Sequence, residues 1–187
     1  MARAGLTRDA VVDIGLSIVD SSGPEALTLT AVADRAGVAP PSLYKHVAGL
    51  PVLRSLLAVR VLDEITAALT AATIGRSGAD AVASLMHAYR DYAAGHPHRY
   101  ASVPADPLHD PALREVAGQQ LTVVRTVLDA CGVADSDAVH TIRALRATVH
   151  GFAHIEAAGG FGLEEDVDIS FRRMVDVFVR AIPGLTT

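Results

Sequence analysis

The residues best suited to chemistry form one short polar run, Ser42-Leu43-Tyr44-Lys45-His46, which follows two prolines. The hydroxyl and imidazole groups of Tyr44 and His46 can contact phosphate. Ser42 can reach phosphate or a base edge, and Lys45 can bond guanine acceptors or pair with a phosphate. A helix used only for core packing would not place Tyr44, Lys45 and His46 side by side. The run therefore favours contact with a nucleic acid.

The elements around this run have the spacing of a helix-turn-helix. Val32 and Ala33 are apolar positions of a first helix, and Ala33 is small where two helices must cross closely. Gly37 follows four residues later, where a tight turn needs a left-handed residue. Val38 and Leu43 then anchor a second, short helix. A helix ending in Gly, a turn of three to four residues and a short second helix match the DNA-binding supersecondary unit.

The segment from Gly37 to Val47, G-V-A-P-P-S-L-Y-K-H-V, resembles the recognition region of the TetR family of transcriptional regulators. The match includes the A-L-T-L-T lead-in and the helix before it, and so covers about residues 5–58. The resemblance implies an all-α fold with a three-helix DNA-binding head and a larger helical body. In this family the body dimerises and holds a ligand cavity coupled to the spacing of the two heads. No cofactor is implied.

A second, C-terminal resemblance is to a TetR subclass named for a W-H-G motif. Thr148-Val149-His150-Gly151-Phe152 is similar to that motif, with Val149 where the tryptophan would stand. The similarity continues through Glu156, Gly159, Gly160, Phe161, Gly162, Asp168, Ser170 and Phe171.

The family resemblance implies a set of DNA-facing residues, whereas Leu43 would face the core. Thr30 is expected to cap the second helix and touch the DNA backbone, and Arg3 and Arg8 to lie near flanking phosphates. The DNA-facing positions are Thr30, Pro40, Pro41, Ser42, Tyr44, Lys45 and His46.

Two family cations are missing from this chain. A lysine common at the start of the helix after the recognition region is replaced by Leu50, and an arginine before the second helix body is replaced by Thr30. Each phosphate that a cation neutralises adds about 0.9 to the slope of log K against log salt. Because this chain lacks two of the family's cations, we expect a shallow slope. Backbone N–H groups at helix N-termini are expected to supply part of the anchoring.

Composition excludes several other classes of protein. The 187 residues are half hydrophobic and carry a net charge of −5. Residues 1–60 hold six basic and five acidic side chains, whereas the rest hold ten and sixteen, so a slight positive charge is confined to the N-terminal part. The single cysteine, Cys131, excludes a disulfide scaffold. The absence of a signal peptide pattern and of a long apolar run predicts a cytoplasmic protein without a membrane span.

Helical periodicity runs through most of the chain and predicts an all-α protein with no sheet. We predict a DNA-binding domain at residues 1–50, with residues 51–60 packing against it, and an effector-binding and dimerisation domain at 51–187. The predicted helices are residues 8–21, 29–36, 40–47, 51–73, 79–94, 99–103, 111–131, 136–158 and 165–181.

Two sets of residues in the second domain are expected to form its sites. An apolar cavity with a few polar groups would suit a small hydrophobic effector, and the last two helices would form a four-helix bundle with their twofold mates. The cavity candidates are Met86, Tyr89, Tyr92, Tyr100, Leu121, Arg125 and Phe152. The dimer candidates are His150, Ile155, Phe171, Met174, Val175 and Phe178, although a monomer core would use the same residues.

Two alternatives to a ligand-responsive, dimeric repressor remain open. The chain could be a helical sensor or assembly protein that keeps a vestigial head, which the missing cations would favour. It could also be a metal-dependent enzyme using the loop that contains His96, His98, His109, Asp106 and Asp110. Against the enzyme, no H-E-x-x-H, G-x-S-x-G, P-loop or dinucleotide motif is present, so we predict neither a catalytic nor a metal site.

Overall fold

The computed structural model describes residues 6–182, in which all regular structure is helical, as predicted. The helices are α1 (Arg8–Ser22), α2 (Leu29–Ala36), α3 (Leu50–Thr73), α4 (Gly78–Gly95), α5 (Pro97–Ala101), α6 (Arg114–Ala130), α7 (Asp135–Ala157) and α8 (Val167–Ala181), with 3₁₀ turns at Pro24–Ala26 and Pro40–Lys45. Among these residues no helix is long and apolar enough to cross a membrane.

The chain divides into two compact units. The first contains the residues up to Asp63 together with His96–Ala117, and the second contains Glu64–Gly95 and the residues from Gly118 onwards. Helices α3 and α6 each have one end in the first unit and the other end in the second. The first unit thus contains residues 96–117 in addition to the N-terminal residues. The predicted limits of the DNA-binding and effector-binding domains are functional assignments, and they stay a prediction.

Local sequence explains how the first unit begins. Thr7 caps α1 by accepting a hydrogen bond from the Ala10 N–H at 3.1 Å. The apolar face of α1 is buried against α2, with Val11 and Val19 fully inaccessible to solvent. Ala58, Leu62, Leu113, Val116 and Ala117 form a further core cluster. This cluster packs the start of α6 and the residue before it against the first unit's part of α3.

One predicted helix is of another type, and the limits of the others differ by up to three residues, the largest difference being the helix predicted over 111–131, which begins at Arg114. The segment predicted as a helix over 40–47 is instead a 3₁₀ turn, in which Ser42 N donates to Ala39 O at 2.9 Å and His46 N donates to Leu43 O at 2.8 Å. Two consecutive prolines lack the N–H groups that would start an α-helical ladder, and so short i→i+3 bonds prevail. The short helix expected over 99–103 begins at Pro97, because the fixed φ of proline favours the first helical position.

The core of the second unit lies where α4 packs against α7 and α8. Leu85 and Met86 of α4, Val149 of α7 and Phe171 of α8 are all inaccessible to solvent. The chain turns back between α7 and α8 at Gly159, whose φ of +66° suits glycine. The adjoining Gly160 is held closely, because a Cβ there would lie 2.8 Å from Ile155 Cγ2. Asp166 caps α8, since its side chain accepts a hydrogen bond from the Asp168 N–H at 2.7 Å.

Candidate nucleic-acid interface and ligand-binding body

The turn that presents the polar run is fixed by its backbone. Gly37 adopts φ +67° and ψ +35°, the left-handed conformation that its place after α2 predicted. Val38 N donates to Ala33 O at 3.0 Å, which closes the end of α2. The chain therefore leaves α2 in one direction and begins the 3₁₀ turn three residues after Gly37.

We call Pro40–Lys45 together with His46 the recognition segment. Its buried anchor is Leu43, which has no solvent exposure, as predicted, and Val47 is 2% exposed. Tyr44 is 60% exposed, although it is a large aromatic residue. The fold thus brings all six predicted DNA-facing residues of this segment together on two turns. Pro40, Pro41, Tyr44 and Lys45 are exposed, and Ser42 and His46 are half-buried.

Thr30 does not have the capping role that the sequence suggested. Thr28 caps α2, since its hydroxyl oxygen accepts a hydrogen bond from the Ala31 N–H at 3.0 Å. Thr30 lies within the first turn and is exposed. The cap is formed by the last residue before the helix because that residue keeps an extended backbone. The Thr30 side chain therefore has no capping bond to break before it contacts a phosphate.

Backbone anchoring by the recognition segment is weaker than the sequence suggested. Pro40 and Pro41 have no N–H, and the Ser42 N–H already donates to Ala39 O. Helix α3 also has a proline, Pro51, in its first turn. Helix N-termini bind anions through free N–H groups, so the first turn of α2 is the better source here. Arg8 opens α1 and is exposed, whereas Arg3 lies outside the described residues.

A pair of contacts between α1 and α5 was not predicted. Arg99 donates from Nε and Nη2 to the two carboxylate oxygens of Asp20, both at 2.7 Å. His98 Nδ1 lies 3.0 Å from the Asp20 carbonyl oxygen. The hydrogen bond from Arg99 lowers the pKa of the Asp20 carboxyl group. No sequence signal relates residues 79 positions apart.

The second unit contains a buried charged group that the sequence also did not reveal. Arg90 is 7% exposed, and its Nε and Nη2 donate to Glu156 Oε2 and Oε1 at 2.9 and 2.5 Å. Nη2 also lies 2.7 Å from Asp168 Oδ1. The guanidinium carbon lies 5.3 Å from the centre of the Phe152 ring and 4.9 Å from that of Phe171. We call these five residues the Arg90 cluster; they join α4, α7 and α8.

The electrostatics of the Arg90 cluster stabilise the charged form of the arginine. The hydrogen bonds and charges of Glu156 and Asp168 raise the pKa of Arg90 and outweigh its desolvation. The two carboxylates differ in exposure, at 24% for the Glu156 side chain and 72% for that of Asp168. Glu156 is thus the main buried partner, and Asp168 is a solvent-facing one.

The predicted cavity residues have different environments. Met86 and Phe152 are buried, and the Tyr92 hydroxyl donates to Glu64 Oε2 at 2.6 Å. Tyr89 and Leu121 are half-buried. Tyr100 belongs to the first unit and not to the second.

Arg125, another cavity candidate, forms ion pairs at the protein surface. Its Nε donates to Asp129 Oδ1 at 2.5 Å and its Nη2 to Asp135. These two carboxylates raise the pKa of Arg125 at the protein surface. Arg125 therefore joins the ends of α6 and α7, and its placement gives no support to the predicted cavity contact.

Two predicted dimer residues are core residues of the single chain. Phe171 has no solvent exposure and Val175 is 2% exposed, because both lie on the face of α8 that packs against α4. His150 and Ile155 are exposed, and Met174 and Phe178 are half-buried. A dimer seam would thus depend on Met174 and Phe178 of α8 and on the exposed face of α7, which carries His150 and Ile155.

Several histidines make contacts with neighbouring side chains. The rings of His150 and His154 stack with centres 6.2 Å apart, and burial lowers the pKa of His150, as do Arg146 and His154. His109 Nδ1 lies 2.7 Å from Asp106 Oδ2 in the loop that the alternative of a metal-dependent enzyme would use. Within residues 6–182 no group of three or more His, Cys, Asp or Glu side chains is placed to hold a metal ion.

Comparison with known proteins adds a family assignment to this geometry. Residues 82–178 match the model of the family described as "Tetracyclin repressor-like, C-terminal domain". The chain is 34% identical over 181 residues to the uncharacterized HTH-type transcriptional regulator YobS of Bacillus subtilis, covering 96% of this chain and 94% of YobS.

Solved structures share the same fold. A protein of unknown function from Rhodococcus sp. RHA1 superposes with a TM-score of 0.82 at 26% identity, covering 96% of this chain and 97% of that one. BioQ, solved with its natural double-stranded DNA operator, gives a TM-score of 0.68 at 23% identity, with 94% and 99% covered. The match to BioQ supports the fold alone.

Proposed function

This chain belongs to the TetR family of HTH-type transcriptional regulators, and from that premise we propose that it is a non-catalytic, homodimeric repressor acting in the cytoplasm. It binds an inverted-repeat operator and is released by a small, hydrophobic effector. The observation that carries the proposal is the recognition segment. There, buried Leu43 fixes a turn whose neighbours Tyr44 and Lys45 are exposed.

Charge supports DNA as the partner of the first unit. The side chains of Lys45 and Arg8 form no hydrogen bond or ion pair with any group among the described residues, so each is available to a phosphate. The cations are few, however, and the family lysine is replaced by Leu50, which begins α3. We therefore expect moderate affinity and a shallow salt dependence.

Exposed apolar side chains support a dimer through α7 and α8. Val139 and Ile155 on α7 are 50% and 44% exposed, and Val177 on α8 is 63% exposed. Such residues favour burial against a second copy. A twofold dimer would present two recognition segments to successive major grooves, about 34–36 Å apart, which requires an inverted repeat.

The effector acts in this proposal by differential binding. A ligand shifts a conformational equilibrium only as far as its affinities for the two states differ. An effector bound in the second unit would favour a head separation that no longer fits the operator. The W-H-G subclass, which would narrow the effector class, stays a prediction from the residues around Val149.

The test is a binding titration on the intergenic DNA next to the gene for this chain. We expect sequence-preferring binding by the wild type and its loss in the Tyr44→Ala/Lys45→Ala double variant. Arg76→Ala, which removes a surface cation of the second unit, is the control and should bind as the wild type does. If the double variant binds the same fragment equally well, the recognition segment is not the reader. The vestigial-head alternative would then be favoured.

A further inference from the structure

A cleft of about 170 Å³ lies within the first unit. It is bordered by the ends of α1 and α5, by the 3₁₀ turn Pro24–Ala26 and by the first turns of α3. Its apolar lining consists of Val19, Leu27 and Leu57, each at most 2% exposed. The floor is therefore part of the core, and a ligand would not have to unfold it.

The rim of the cleft carries two opposite charges, Glu25 and Arg54. Neither side chain forms a hydrogen bond or an ion pair with any group in residues 6–182. Two other arginines of this unit do have side-chain partners, since Arg35 bonds Ser17 and Arg99 bonds Asp20. Two unpaired opposite charges thus face one apolar cleft without neutralising each other.

A hydroxyl group completes the polar lining. Ser102 Oγ donates to Arg99 O at 2.6 Å, which occupies its hydrogen. Its oxygen still has acceptor capacity, so it would complement a cationic donor and not an anion. The cleft therefore offers a carboxylate and a hydroxyl oxygen to a cation, and a guanidinium to an anion.

We propose that this cleft binds a small zwitterion with a short apolar side chain, of the α-amino-acid type. The ligand ammonium group would bond Glu25 and Ser102, its carboxylate would bond Arg54, and its side chain would cover the apolar floor. Sites for drug-sized ligands usually measure about 300–1,000 Å³, so this volume restricts the ligand to a few heavy atoms. The proposal concerns the first unit alone and does not depend on the operator or on the effector.

The experiment is an amide NMR titration of the full, ¹⁵N-labelled chain with L-valine as the probe. We expect saturable shifts at the amides of Glu25, Arg54 and Ser102. Isobutylamine and isovalerate each keep the side chain of valine but only one of its charges. We expect each of them to bind at least tenfold more weakly, because one rim charge is then left without a partner.

Two alanine-to-leucine substitutions distinguish binding in the cleft from binding elsewhere in the first unit. Ala101 is exposed and borders the cleft, so Ala101→Leu should fill it and lower the affinity for L-valine at least tenfold. Ala112 is also exposed in the same unit but does not line the cleft, so Ala112→Leu should bind L-valine as the wild type does.

Glu25→Gln gives a test that leaves the shape of the cleft almost unchanged. It should weaken L-valine binding about tenfold and leave isovalerate binding as it was. The proposal is overturned if the wild type shows no saturable shifts at these amides, or if Ala101→Leu binds L-valine as tightly as Ala112→Leu. Equal affinities of the wild type for all three probes would also overturn it.

Discussion

The recognition segment and the Arg90 cluster use polar side chains in opposite ways. Tyr44 and Lys45 are exposed on a turn anchored by Leu43, and Lys45 has no partner within the described residues. Arg90 is buried, and two carboxylates and two aromatic rings surround it. Because a buried unpaired charge is costly, Arg90 requires the partners that the cluster supplies. The recognition segment instead leaves its bonding capacity available to a partner.

The largest expected effect separates the anchor of the recognition segment from its exposed neighbour. Leu43→Ala leaves a cavity at a position without solvent exposure, so we expect a loss of about 3 kcal/mol in the free energy of unfolding. Tyr44→Ala should change that free energy by no more than about 0.5 kcal/mol, since Tyr44 is mostly exposed. Urea unfolding of both variants measures the difference. Equal losses would show that Tyr44 is a packing residue.

The Arg90 cluster gives the corresponding comparison in the second unit. Glu156→Ala removes the main partner of a buried arginine, and we expect it to cost about 2–3 kcal/mol, at or below the lower end for a broken buried pair. Asp168→Ala removes a solvent-facing partner and should cost about 1 kcal/mol or less. Chemical unfolding followed by circular dichroism tests both variants. A larger cost for Asp168→Ala would reverse the roles assigned to the two carboxylates.

A smaller effect distinguishes two threonines at the start of α2. Thr28→Ala removes the cap and should lower stability by about 1 kcal/mol. Thr30→Ala removes an exposed hydroxyl within the first turn, so it should leave the melting temperature almost unchanged and weaken operator binding. Thermal unfolding and DNA titration of the pair check this assignment. The opposite pattern would restore Thr30 as the cap.

The smallest effect concerns the ion pair between Asp20 and Arg99. Because the native-state pKa of Asp20 is lowered, the pair stabilises the protein above the unfolded pKa of aspartate, and this stability is lost as the pH falls through the native pKa. Both side chains are partly exposed, so we expect no more than about 1 kcal/mol at neutral pH. Unfolding of wild type and Asp20→Asn between neutral and strongly acidic pH measures it. A stability difference that grows on acidification would contradict this account.

The helices and the site scaffold were largely predictable from the sequence because local patterns determine them. The limits of α2 and the left-handed Gly37 follow from short-range signals. The 3₁₀ form of the recognition segment was missed, although Pro40 and Pro41 carried a signal for it in their missing N–H groups.

Long-range pairs and the surroundings of amphipathic faces were not predictable. Nothing in a single sequence relates Arg90 to Glu156, which lies 66 residues away. The pattern of α8 predicted an apolar face but could not tell a core from a dimer seam. The structure resolves Phe171 and Val175 as core because it shows what covers them within one chain.

The measurement that tests the central claim most directly is the salt dependence of operator binding by wild type and Lys45→Ala. If Lys45 neutralises one phosphate, its removal should lower the slope of log K against log salt by about 0.9, with the fold unchanged. Arg76→Ala should keep the wild-type slope. Equal slopes for wild type and Lys45→Ala, measured on the same operator, would contradict the assignment of the recognition segment to DNA.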